Sequence, residues 1–192
     1  MPEGTRLLLI VGAATPPGRL AAALSHAAQA AQAKGAGADV LNLAETPVEI
    51  CDGRSLDAYN PATRDAIGRI GTANAVLIGA PVYRATYPGV LKNLLDLAPV
   101  EALKGKPVGI VAMGGSPHHF LGVDWQLRQV LTWFGALTAP VSAYLTGGDF
   151  KDGQLSSDSA RNDLAALVET LMALARLGPA SLGPVPLAAK FT

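Results

Sequence analysis

The chain has 192 residues, 49 % of them apolar and 16 % charged, and its 15 basic and 15 acidic side chains give a formal net charge of zero. That length fills one core and is short for two, and the apolar content excludes a disordered chain. No basic run offers the electrostatic footprint of a nucleic-acid binder, and no apolar run reaches the roughly 20 residues that span a bilayer. The N-terminus has no basic region followed by an apolar core and a cleavage site, so no export signal is expected. Cys51 is the single cysteine. It cannot form an internal disulfide, which suits a reducing compartment, and the cytoplasm is the expected location. Low charge and abundant alanine further suggest a surface partly covered by other subunits.

Arg6 to Gly12 is a nearly unbroken apolar run, the mark of a strand buried on both faces. A loop rich in small residues and proline follows, from Ala13 to Gly18. Arg19 to Lys34 reads as a helix ended by Gly35 and Gly37. Ala38 to Leu43 alternates as a second strand nearer an edge, and Ala44 to Asn60 reads as a polar surface excursion. Its acids, Glu45, Glu49, Asp52 and Asp57, read as a solvated face, because their spacing is irregular and no histidine accompanies them. Pro61 opens a helix to about Ala73.

Ala75-Val76-Leu77-Ile78 is a third strand, expected to stop at Pro81, which has no amide hydrogen for the ladder. Pro88 then suits the first turn of a helix whose apolar positions are Val90, Leu91, Leu94, Leu95 and Ala98. Val108 to Met113 is a fourth strand, and a helix from about His119 to Phe134 carries Leu121, Trp125, Leu127, Val130 and Leu131. Ala139 to Leu145 is the expected fifth strand, with Thr146 to Asp149 as a turn. The last helix, Ser159 to Leu177, has one leucine-rich stripe. Residues 1–177 are the expected domain, and 178–192 an irregular tail.

Apolar strands alternating with helices predict an α/β domain. Five parallel strands at this length point to the flavodoxin-like three-layer sandwich of order 2-1-3-4-5. In that order the loops after strands 1, 3 and 4 share the carboxyl edge of the sheet, where ligands bind. The first loop precedes a helix N-terminus, a natural anion site. The second carries Tyr83, Arg84 and Tyr87 on a proline-stiffened backbone. The third has Gly114 and Gly115, where backbone can approach a flat ligand closely. A phosphate at the first loop and an aromatic ring against the other two is the shape of flavin mononucleotide (FMN). His118 and His119 are not at metal-ligand spacing, and no metal site is expected.

Pro81-Val82-Tyr83 followed by Tyr87-Pro88-Gly89-Val90-Leu91-Lys92-Asn93-Leu94-Leu95-Asp96 resembles the hallmark of the NADPH-dependent FMN reductase family. Met113-Gly114-Gly115-Ser116, with His119, Asp124, Leu127 and Arg128, resembles its second motif. The likeness is strongest to the reductases that supply reduced flavin to sulfonate-oxidising monooxygenases, and it covers roughly residues 6–177. It implies oxidation of NADPH or NADH, reduction of FMN, a partner monooxygenase, and homodimers often paired into homotetramers. Thr15 and Arg19 would then hold the phosphate. Pro81, Val82, Tyr83 and Arg84 would line the ring and ribityl side, and Gly114, Gly115 and Ser116 would meet the ring by backbone.

The first loop departs from the family's serine-rich pattern, since only Thr15 and Arg19 offer side-chain donors, and Pro16 and Pro17 remove two amides. Each lost charge-assisted contact is worth roughly 1.5–3 kcal/mol, so weak FMN binding is expected, with flavin coming and going as a substrate. Trp125 lies where those relatives carry an aromatic residue on a helix with a one-residue π-bulge, near a subunit interface. Other readings are a quinone, azo or metal-oxyanion reductase with bound FMN, and a non-catalytic interaction subunit.

Overall fold

Side-chain alternation builds the molecule. In the computed structural model, which describes residues 4–15 and 18–178, strands β1 (Arg6–Val11), β3 (Ala75–Pro81) and β4 (Pro107–Met113) are buried on both faces. Leu8, Ile10, Val76, Ile78, Val108 and Ile110 point one way, toward α2 (Pro61–Thr72), α3 (Gly89–Leu97) and α4 (Phe120–Phe134). Leu7, Leu9, Val11, Leu77 and Val111 point the other way, toward α1 (Arg19–Ala33) and α5 (Asp158–Ala175). Period-2 alternation between two apolar layers requires a near-continuous apolar strand, as the sequence has.

With β2 (Gly37–Asn42) on the outside, the parallel order is β2-β1-β3-β4-β5, the flavodoxin-like arrangement. α1 and α3 approach the carboxyl ends of β1 and β3 closely. The Gly12 amide donates to the Gly79 carbonyl at 2.7 Å, and a Cβ on Gly12 would stand 2.9 Å from Leu91 Cδ2.

One strand expectation holds and one is corrected. β3 ends at Pro81, as expected, and Pro81 is still paired, with Met113. Val82 donates its amide to Met113 at 2.8 Å, so the preceding amide position faces the β1 side, beyond the last β1 pair at Val11 and Gly79. The missing hydrogen of Pro81 therefore costs no ladder bond. The fifth position, expected as Ala139 to Leu145, is two short strands, β5 (Leu137–Thr138) and β6 (Ala143–Leu145), both pairing with β4. Four residues, 139–142, lie where β4 uses two, 109–110. Pro140 has no amide to give, and Arg128 fills in: it donates to the Ala139 carbonyl at 2.9 Å and to the Pro140 carbonyl at 3.3 Å, with Asp124 on its Nε.

The polar excursion after β2 is more ordered than a solvated face. Asn93 of α3 accepts from the Cys51 amide at 2.8 Å and donates to the Glu49 carbonyl at 2.9 Å. The Asn60 amide holds the Glu49 carboxyl below the usual carboxylate range, and the Tyr59 hydroxyl does the same for Asp52. Asn60 also caps α2, accepting from Thr63 at 2.7 Å. At the other end of α2, Lys106 donates to the carbonyls of Ile70 and Gly71.

A hairpin unforeseen in the sequence, β7 (Phe150–Lys151) and β8 (Gln154–Leu155), turns at Asp152 and Gly153, both with positive φ. An Asp-Gly pair is the chemistry of such a turn, and that was the available signal. Of the expected tail only Gly178 is described, and 179–192 lie outside the described residues, as do Pro16 and Pro17 of the first loop. No described helix is long and apolar enough to cross a membrane.

Candidate active site at the carboxyl edge

β1, β3 and β4 are neighbours, so the loops that leave them meet along one rim. Between them lies a cleft of about 220 Å³ lined by Thr15, Arg19, Leu20, Pro81, Tyr83 and Met113, among others. Four of the nine expected site residues, Thr15, Arg19, Pro81 and Tyr83, come together there, drawn from loops far apart in the chain.

The phosphate end of the cleft is the start of α1. Gly18 is the N-cap and supplies no side-chain cap, and the first turn contains no acidic residue. The first-turn amides have no capping partner among the described residues, and the dipole favours an anion. Arg19 is exposed and engages no acceptor among the described residues, while its Nη1 lies 3.2 Å from the point where a Cβ on Gly147 would stand. Among the described residues no carboxylate lines the cleft. This donor set suits the phosphate of FMN.

The second loop is a tight hairpin. Tyr83 and Thr86 exchange amide-carbonyl bonds at 2.8 and 3.1 Å, and Arg84 and Ala85 sit between them with φ of 50° and 67°. Two consecutive left-handed residues are the signature of a type I′ turn. Tyr83 is 45 % exposed at the cleft. Val82 packs against the core beside α4, and Arg84 is exposed at the turn; neither lines the cleft.

The third loop flanks it. Gly114 donates to the Leu145 carbonyl at 3.0 Å, Ser116 Oγ lies 3.0 Å from His119 Nδ1, and Gly115 has open space where a side chain would be. Met113 lines the cleft, whereas Gly114, Gly115 and Ser116 stand at its side. Tyr144 of β6, absent from the expected set, reaches into this loop and donates to the Ser116 carbonyl at 2.6 Å. α4 is regular throughout, without the π-bulge that the resemblance implied, and Trp125 is 61 % exposed on it rather than in the core.

The comparisons with known proteins decide the family. The pattern described as NADPH-dependent FMN reductase matches residues 5–151. The chain belongs to that family. An NAD(P)H-dependent FAD/FMN reductase of Geobacillus thermodenitrificans is 36 % identical over 129 residues, which cover 67 % of this chain and 70 % of that one. An NADH-dependent FMN reductase, SfnF, of Pseudomonas fluorescens is 46 % identical over 99 residues, about half of either chain at 50 % and 53 %. Among solved structures, an apo NADH:FMN oxidoreductase named EmoB superposes with a TM-score of 0.74 at 25 % identity, covering 92 % of this chain and 91 % of that one. As a family member the protein is an NAD(P)H:FMN oxidoreductase, with FMN and a reduced nicotinamide nucleotide as its cofactors.

Proposed function

We propose that this FMN reductase holds its flavin in the cleft between the three loops and releases it, reduced, to a partner monooxygenase. The observation that carries the reading is the juxtaposition of an uncapped helix start, an Arg19 with no acceptor among the described residues, Tyr83 and an open glycine loop. Thr15, Arg19 and the first-turn amides of α1 would take the phosphate. Pro81 and Tyr83 would border the ribityl and ring side, and the backbone of Gly114, Gly115 and Ser116 would face the ring from the side of the cleft. When bound there, FMN would supply the hydride-accepting chemistry toward the reduced nicotinamide. The protein contributes orientation and exclusion of water, so no side-chain acid or base is assigned. A cytoplasmic location fits the reducing chemistry and the lone, partly buried Cys51.

The small number of side-chain phosphate donors supports a flavin that exchanges as a substrate. Loss of two or three charge-assisted contacts weakens binding by about a hundredfold or more. Oxidation of NADPH and NADH, followed with FMN, FAD and riboflavin, tests the reading. Colourless protein that turns over only with added FMN, and saturates below about millimolar, supports it; absence of saturation there overturns it.

The exposed side of α4 supports a homodimer or homotetramer. Leu121, Trp125 and Trp133 follow one another at helical spacing, with Trp133 54 % exposed beside a groove of about 400 Å³ against α3. Light scattering after gel filtration tests this: Trp125→Lys with Trp133→Lys should release monomers, and a wild-type monomer would end the proposal.

A further inference from the structure

We infer that Tyr144 is a positioning residue for flavin: its hydroxyl fills the space behind Gly114 and ties down the Ser116 carbonyl, so that the glycine loop turns its open side to the cleft. This rests on the flavin reading of that cleft.

Four observations converge on Tyr144. Its Oη donates to the Ser116 carbonyl at 2.6 Å. A Cβ on Gly114 would overlap that hydroxyl and stand 3.0 Å from Cζ of the same ring. The next residue on β6, Leu145, accepts the Gly114 amide at 3.0 Å. Two adjacent strand residues therefore grip two positions of the loop, one through a side chain and one through backbone. Phe120 meets the tyrosine ring edge-on at 6.5 Å between centroids, which fixes the ring itself.

The grip leaves Gly115, beside the cleft, open. Gly115, between the two anchored residues, has no described residue within 4 Å of where its side chain would be. Burial pushes the Tyr144 phenol above its ordinary value, further from any titration at working pH. The split of the fifth strand delivers the tyrosine to this spot. Two surplus residues preserve the alternation of faces, so β6 resumes with Tyr144 opposite Ala112 and Leu145 opposite Met113.

Tyr144→Phe keeps the ring and removes the bond. FMN titration by fluorescence and steady-state kinetics should show Kd and KM for FMN raised about three- to tenfold, with kcat nearly unchanged. Gly114→Ala should bind FMN poorly in the wild-type background and recover in part in the Tyr144→Phe background, where the methyl group loses its overlap with the hydroxyl and keeps only the tight contact with Cζ. Wild type that binds FMN beside a Tyr144→Phe variant that binds it equally, with only thermal stability altered, overturns the inference and leaves the flavin reading intact. Wild type that fails to bind FMN removes both.

Discussion

Gly122 in the first turn of α4 faces the carbonyl oxygen of Ala85, which lies 3.2 Å from the point where a Cβ on the glycine would stand. The cleft hairpin and the helix thus dock backbone against helix, and Val82 Cγ1 closes the same contact at 3.2 Å. Gly122→Leu should push the hairpin away and move Tyr83 with it. Overpacking of this kind costs about 1–3 kcal/mol, so both the melting temperature and the KM for FMN should worsen. Unchanged values for both would show that the contact positions nothing.

The hairpin stores strain at Ala85, whose φ is 67° and whose side chain is exposed. A left-handed L-residue costs about 1–2 kcal/mol, of which glycine's chain entropy takes back roughly 0.5–1 kcal/mol. Ala85→Gly should therefore stabilise the protein by about 0.5–1 kcal/mol, raising the melting temperature by about 1–4 °C. A fall in melting temperature would mean that the turn is not strained.

Arg19 is assigned to phosphate and to nothing else. Arg19→Ala should raise the Kd of FMN about tenfold or more and leave that of riboflavin, which lacks the phosphate, where it was. Comparing the two flavins by fluorescence quenching separates this from a general loss of the cleft; equal weakening of both would remove Arg19 from the phosphate site.

Burial pushes the Lys106 ammonium down to about 8 from an ordinary 10.5. Between those values the unfolded chain binds more protons than the folded one, so stability rises with pH across that window. Below the window the group is charged in both states and its contribution is flat. The neutral amine still donates to the carbonyls of Ile70 and Gly71, so the C-terminus of α2 stays capped. Urea midpoints measured from about pH 7 to pH 10 should climb in wild type and lose that rise in Lys106→Met. The same slope in both proteins would contradict it.

The sheet was legible because the buried strands Leu7 to Val11, Val76 to Ile78 and Val108 to Val111 carry apolar residues on both faces, a pattern no surface element needs. The rim was legible because parallel order alone brings the loops with Thr15, Tyr83 and Gly115 to one edge. Tyr144 was not. Its partners Gly114 and Ser116 are distant in the chain, and they meet only through the β4–β6 register, which depends on two surplus residues that no local signal counts. Gly122 was hidden in the same way, as a helical glycine explained by a loop that folds onto it. Pro81 marked the end of β3 correctly, although its missing amide costs no ladder bond, because whether such an amide matters depends on which neighbour it would have faced.

The interruption at 139–142 also has a bearing on solubility. An outermost strand with an unbroken row of amides and carbonyls is a template on which another chain can add itself. Here that row is cut into two-residue and three-residue pieces, a proline stands in the gap, and an arginine already occupies the carbonyls beside it. The same irregularity that sets a tyrosine behind the glycine loop leaves this border of the sheet a poor seed for aggregation.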